Sequence, residues 1–230
     1  MKFCIRCNSI TGWKPSYRSI IGLRVKGDFA MLEDVVTKAR LEEETIFDVV
    51  FTKEDGENVD MSGVKFENVV FHKCRLINCL FVKTTFYNSV FEDCDLSGCN
   101  FTAGYWKSSK IVGSKGSGSN FKLCTFKNFE LVEAKFQYGN FINSLWEAAK
   151  IIKCELSESC FAETKFRSIS FSATNLTKVD FFKTSLKGID LSTCVIVGLI
   201  TSDTYYELKG LKVNAMQAVD LSLLLGIKVV

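Results

Sequence analysis

Between residues 46 and 196 a bulky apolar side chain returns at every fifth place. The stretch "FHKCRLINCLFVKTTFYNSVFEDCDLSGCNF" (71–101) shows it at Phe71, Leu76, Phe81, Phe86, Phe91, Leu96 and Phe101. Followed outward, this phase gives 31 stations, of which 29 are apolar; Gly56 and Gly116 are the exceptions. Fifteen of the twenty Phe residues fall on it, which an apolar content of 47% does not produce by chance. Two places before each station runs a column of small residues. Of its 31 positions from 44 to 194, 21 hold Cys, Ser, Thr, Ala or Gly. The other three places of each five are mostly polar.

Neither a helix of period 3.6 nor a strand of period 2 accounts for a period of five. A large and a small residue two apart point to one side of an extended chain. If a corner follows and the unit repeats, the backbone winds into a coil, and stacked coils satisfy one another's hydrogen bonds. The large side chain fills the axis, and the small one lies under the wall. Seven of the ten cysteines occupy the small column, where Cys reads as a small buried apolar residue.

The phase is carried by units such as "CRLIN", "CLFVK", "TTFYN", "CDLSG", "CNFTA", "TKFRS" and "TNLTK". Over roughly residues 44–198 the chain resembles the pentapeptide-repeat proteins. The resemblance implies an all-β fold: a right-handed quadrilateral β-helix with four repeats, hence 20 residues, per coil. Nearly eight coils are then expected, a rod roughly 38 Å long at about 4.8 Å per coil. At that spacing Phe81, Phe101 and Phe121 stack in one ladder, and Cys74 lies under Cys94 and Cys79 under Cys99. In a reducing compartment these favour free thiols.

Outside the repeat the pattern changes, so we expect an N-terminal segment over 1–43, the β-helix over 44–198 and a C-terminal cap over 199–230. "AMLEDVVTKARL" (30–41) reads as a helix over the N-terminal end, and "SIIGLRVKG" (19–27) as a strand. "NAMQAVDLSLLLG" predicts a helix over about 214–225, with Asn214 and Gln217 as a capping pair and Gly226 as terminator. Its apolar stripe is Met216, Val219, Leu223 and Leu224, and "IKVV" follows as a strand. In related proteins the C-terminal end builds a dimer, so a homodimer through this cap is one expectation and a monomeric cap the other. Two segments interrupt the pattern: acidic "TKEDGENVD" (52–60), and "GSKGSGSN" (113–120), which keeps phase and reads as a slack coil or a small extruded loop.

Composition excludes more than it identifies. No run of eighteen apolar residues occurs, so no membrane partner is expected, and the N-terminus lacks a secretory apolar stretch; both point to the cytoplasm. The lone histidine, His72, falls on the outer wall beside Phe71. Cys4 and Cys7 form a CxxC pair with no second pair to complete a zinc site. No catalytic, cofactor-binding or metal-binding residues are assigned, and no cofactor is expected.

At 20-residue spacing Lys107, Lys127, Arg167 and Lys187 form a basic stripe interrupted by Glu147, the candidate partner-binding residues. Such a stripe meets an anionic partner or is a solvated face. Asn100, Asn120 and Asn140 form a column read as an amide ladder, and Val112, Val132 and Ile152 an outward apolar column.

The best-understood members of the family bind bacterial type II topoisomerases and protect them from quinolones, with acidic rods that resemble DNA. Residues 61–190 here hold 17 Lys+Arg against 12 Asp+Glu, a balance of +5, which does not suit a DNA surrogate. The reading is therefore a non-enzymatic protein-interaction rod of unknown partner in the bacterial cytosol. The alternative is a quinolone-resistance-like protein binding DNA gyrase or topoisomerase IV. Direct contact with nucleic acid is left open.

Overall fold

The computed structural model describes residues 32–224 and 226–228. The expected strand at 19–27 and the Cys4/Cys7 pair lie outside them. The chain folds as a parallel, four-sided β-helix, as the repeat predicts. One wall stacks β1 (Thr45–Phe47), β4 (Lys65–Glu67), β7 (Thr85–Tyr87), β9 (Tyr105–Lys107), β11 (Thr125–Lys127), β13 (Leu145–Ile152) and β14 (Lys165–Ser172). The next wall stacks β2 (Val50–Thr52), β5 (Val70–His72), β8 (Val90–Glu92), β10 (Lys110–Val112) and β12 (Glu130–Val132), and joins the long β13. On a third wall β3 (Asp55–Glu57) pairs with β6 (Arg75–Ile77), and single bridges continue the column.

Every pairing within these walls advances by 20 residues, for example Phe66↔Phe86↔Trp106. The strand-paired wall therefore makes six turns, from Thr45 to Lys165, not nearly eight; beyond it only isolated bridges such as Asp180↔Ile200 hold the register.

The stations fill the axis. Phe81, Phe101 and Phe121 stack at 4.6 Å between ring centroids, nearly parallel, and Phe126 stacks on Trp146 at 4.0 Å. Corners form at the second residue after the stations, where φ is positive at all but Thr193: Asn68, Asn78, Asn88 and Asn128 sit there, as does Gly98. Asn and Gly tolerate this left-handed conformation best. At other corners Lys, Glu, Ala and even Leu123 and Tyr138 are held in it by the ladder above and below.

The small column does more than leave room. Its hydroxyls and thiols donate to the carbonyl of the station 23 residues earlier: Thr84 to Met61 at 3.0 Å, Ser119 to Leu96 at 2.7 Å, Cys99 to Leu76 at 3.0 Å and Cys124 to Phe101 at 3.0 Å. Cysteine here is a weak donor as well as a small apolar residue. The eight described cysteines are free thiols. Burial pushes Cys124 up to about 12 and Cys154 up to about 11, so both stay protonated.

Both expected interruptions are regular coil. Residues 55–57 are β3, and 113–120 keep the ladder, with Gly113 N–H on Val132 O and Gly118 N–H on Gln137 O. Gly116 is required because the Phe136 ring occupies the space its side chain would take: an added Cβ would lie 2.2 Å from a ring carbon. The Asn100 column is likewise not an amide ladder. Each carboxamide oxygen accepts the amide two residues on, as Asn100 does from Thr102 at 3.0 Å. A side-chain ladder does run through a corner column, Asn68 to Asp48 at 2.9 Å and Asn88 to Asn68.

Helix α1 (Leu32–Leu41) closes the N-terminal end, burying Leu32, Val35, Val36 and Ala39. Glu54 accepts the Leu32 amide, and Arg40 reaches Asp60 at 2.9 Å. At the other end α2 (Ala215–Leu224) has the expected capping pair: the Asn214 side chain accepts the Gln217 amide, and Gln217 accepts that of Asn214. Its packing differs from expectation. Met216, Val219 and Leu223 are exposed, and Gln217 is the buried residue, donating to the carbonyls of Leu191 and Cys194. A rod end needs donors for its orphan carbonyls more than it needs further apolar cover. Ile227 and Lys228 are not in a strand.

Glu207 is fully buried beneath this cap and accepts the Lys183 amide and both the amide and hydroxyl of Ser202. Burial raises its pKa, but these donors outweigh it, and the net position is below the usual 4.5. Its contribution is therefore present above that value and is lost as pH falls through the folded pKa. Glu207→Gln should cost about 1–2 kcal/mol at neutral pH. In thermal melts the gap from wild type should narrow only as pH falls below the usual 4.5 and through the lowered folded pKa, and a gap independent of pH would refute the role.

Candidate interaction surface

The basic stripe lies on the outer side of the β1–β14 wall. Pairing places Tyr87, Lys107, Lys127, Glu147 and Arg167 directly above one another. Three of the four predicted cations thus share one column. Their charge is partly spent within it. Lys107 lies over the Tyr87 ring at 5.3 Å, and Lys127 and Arg167 both approach Glu147, at 3.8 and 3.9 Å. Exposed pairs of this kind contribute about 0–1 kcal/mol and leave the side chains available.

Lys187 does not join the column by backbone pairing. No backbone hydrogen bond links β14 to residues 185–192, although every earlier coil on this wall bonds to its successor. The two coils meet again only at their ends. Thr164 N–H donates to the Thr184 hydroxyl, Ala173 N–H reaches the Thr193 hydroxyl, and Val195 N–H restores the ladder on Thr174 O. Between those points 185–192 pairs with the cap instead: Leu186 N–H on Glu207 O, Gly188 N–H on Gly210 O and Leu191 N–H on Lys212 O.

Burial marks the same place independently. Among stations 46–196 every one is buried except Phe166, and in the small column from 64 to 194 every residue is buried except Ile169. Both lie on β14. The physical cause is in the small column of this corner, which runs Val49, Val69, Ser89, Ser109, Phe129, Ala149, Ile169 and Ile189. The bulky Phe129 fits because Ser109 and Ala149 flank it. Ile169 and Ile189 are the only adjacent pair in it wider than Val, and the break in backbone pairing falls between their coils. The sequence carries this signal, and the basic stripe crosses it between Arg167 and Lys187.

Other chemistry is sparse. His72 stands 3.1 Å from Glu92 on the outer wall. No group of three or more His, Cys, Asp or Glu that could hold a metal occurs among the described residues. An open groove of about 430 Å³ crosses the corner near Glu133, Lys153, Asn175 and Thr193, where Lys153 pairs with Glu133 at 3.0 Å and Asn175 bonds Glu155 at 2.9 Å. Cys154 also lines it, but its thiol is buried and donates to the carbonyls of Leu131 and Ile152. The Val112, Val132 and Ile152 column is half-buried on the neighbouring wall. Among the described residues no helix is long and apolar enough to cross a membrane.

Among the described residues these features define a parallel β-solenoid with a filled axis, whose walls, ends and one open edge face outward. Models of the pentapeptide repeat region match residues 84–161, and models of pentapeptide repeats in eight copies match 65–102 and 159–196. Together they span 65–196, more than half of the chain, which belongs to the pentapeptide-repeat family. No curated protein sequence matches it. Solved structures similar to it include a trypsin-treated form of QnrB1, a plasmid-mediated fluoroquinolone resistance protein, at 19% identity and TM-score 0.46 over 81% of this chain and 99% of that one. HetL, involved in heterocyst differentiation regulation in Nostoc sp. strain PCC 7120, matches at 10% identity and TM-score 0.28 over 80% and 95%. Rfr23 from Cyanothece 51142 matches at 11% identity and TM-score 0.36 over 60% and 92%.

Proposed function

We propose that this chain is a non-enzymatic protein-interaction rod of the bacterial cytosol. The observation that carries the reading is the filled axis. A tube whose interior is occupied by stacked Phe and Trp has no room for a substrate, so recognition falls to the walls and ends. The basic column of Lys107, Lys127 and Arg167, with Lys187 beyond the break, supports a partner with an anionic surface.

Several acidic residues near the N-terminal end are engaged within the protein: Asp55 and Glu57 with Arg75, and Asp60 with Arg40. With a wall balance of +5, this argues against a rod that imitates duplex DNA. Contact with a type II topoisomerase would have to use the ends or the basic wall. An unaltered gyrase supercoiling assay, with and without a quinolone, at micromolar protein would remove that reading.

The experiment for the main reading is affinity capture from bacterial cytosol at low and high salt. A partner held by the column should be lost at high salt, and Lys127→Glu combined with Lys187→Glu should weaken it about tenfold. Retention of the same partner by that double variant would reject the basic wall as the site.

A further inference from the structure

We infer that the unpaired edge of β14 is a strand-acceptor slot for an extended, acidic peptide segment of a partner protein. This rests on the interaction-rod reading and names the chemistry of one partner element. Three independent observations converge on the edge. Its backbone donors and acceptors face 185–192 without pairing to them, and an open edge with free N–H and C=O groups is a template for another strand. The inward residues on it, Phe166 and Ile169, are the two that interrupt otherwise continuous burial, so an incoming strand gains apolar contact on alternate residues. Phe166 also lacks the stacked ring neighbour that its ladder provides elsewhere; its aromatic contacts with Phe161, Phe171 and Phe181 are tilted or edge-on at 5.9–6.3 Å.

Charge selects the occupant. The outward side chains bordering the slot are Lys165 and Arg167 on β14 and Lys187 opposite. Lys165 and Lys187 form no ion pair among the described residues, and Arg167 shares Glu147 with Lys127. The acids nearby are committed elsewhere: Glu163 to Lys183 at 3.7 Å, Glu207 buried on its own donors, and Asp190 to the Ser192 amide beside Lys212. A segment alternating acidic and small apolar residues satisfies the edge, the half-buried Phe166 ring and the cations together.

The slot also has a built-in key. Replacing Ile169 and Ile189 by Ala restores the small residues used at this corner by Ser89, Ser109 and Ala149. The coils should then close and pair, eliminating the acceptor edge without disturbing the basic wall.

The test uses the full chain and a fluorescein-labelled peptide of about ten residues alternating Glu and Val, against its Lys/Val counterpart. In the free protein, amides 166–172 should exchange with deuterium faster than those of β13, and the Glu/Val peptide should slow them. Binding should weaken about tenfold in Lys165→Glu plus Arg167→Glu and be lost in Ile169→Ala plus Ile189→Ala, the latter melting at or above the wild-type temperature. Equal binding of the Lys/Val peptide, binding without protection of 166–172, or no binding would overturn the proposal. So would amides on β14 already as protected as those on β13, or protected only by concentration-dependent self-association, which would make a second copy the occupant. Partner capture that survives Ile169→Ala plus Ile189→Ala but is weakened by Lys127→Glu alone belongs to the basic column and not to the slot, so the two readings fail separately.

Discussion

Gly116→Leu should destabilise the protein by about 3 kcal/mol, although it restores a large apolar residue to a station that lacks one. The reasoning is local. In the ladder Leu76, Leu96, Gly116, Phe136, Leu156, the ring of Phe136 extends into the place where a side chain at 116 would sit; an added Cβ alone comes within 2.2 Å of it. Phe136 is fully buried and meets Phe121 edge-on at 5.6 Å, so it has nowhere to retreat. The same substitution combined with Phe136→Leu gives an unbroken leucine ladder of nearly conserved volume. Urea denaturation should show the double variant within about 1 kcal/mol of wild type, a coupling of at least about 2 kcal/mol once the cost of Phe136→Leu alone is included. Additive losses would show that Phe136 is not the reason for Gly116 and that its place in the coil has another cause.

This pair also illustrates what the sequence makes legible. A period of five held from 46 to 196 gives the coil, the stations that become buried and the column that lies beneath the wall, because each follows from which side chains fit inside a tube. Gly116 reads as a weak point by composition, whereas its real meaning depends on Phe136, twenty residues away. The same non-local logic hides the open edge. Ile169 is unremarkable in its own pentapeptide, and only the presence of Ile189 twenty residues on makes the pair unusual at this corner. Glu207 and Gln217 are a further case. Both look like ordinary polar residues of a cap, yet they are buried because the last coil presents amides and carbonyls that no further coil receives. The corners were half visible: Asn and Gly mark many of them, but Lys, Ala and Tyr138 take the same left-handed conformation where the neighbouring coils dictate it.

Phe101→Ala is expected to cost about 4 kcal/mol, against about 1–2 kcal/mol for Phe166→Ala, although both occupy the same place in the repeat. Phe101 is fully buried and stacked on both sides, on Phe81 and Phe121 at 4.6 Å. Its removal leaves a cavity that the flanking rings cannot fill, because their own strands are pinned by hydrogen bonds at 20-residue register. It also forfeits two stacked aromatic contacts, each of about 0.5–1.5 kcal/mol beyond area. A solenoid transmits such a loss along its axis, since each coil is held only by its neighbours. Unfolding of Phe101→Ala should therefore broaden or separate into two transitions as the halves uncouple, followed by Trp fluorescence from Trp106 and Trp146. Phe166 has water on one side already, so its truncation exposes less new surface and leaves the halves joined. Equal costs at the two positions would mean that the edge of β14 is closed in solution.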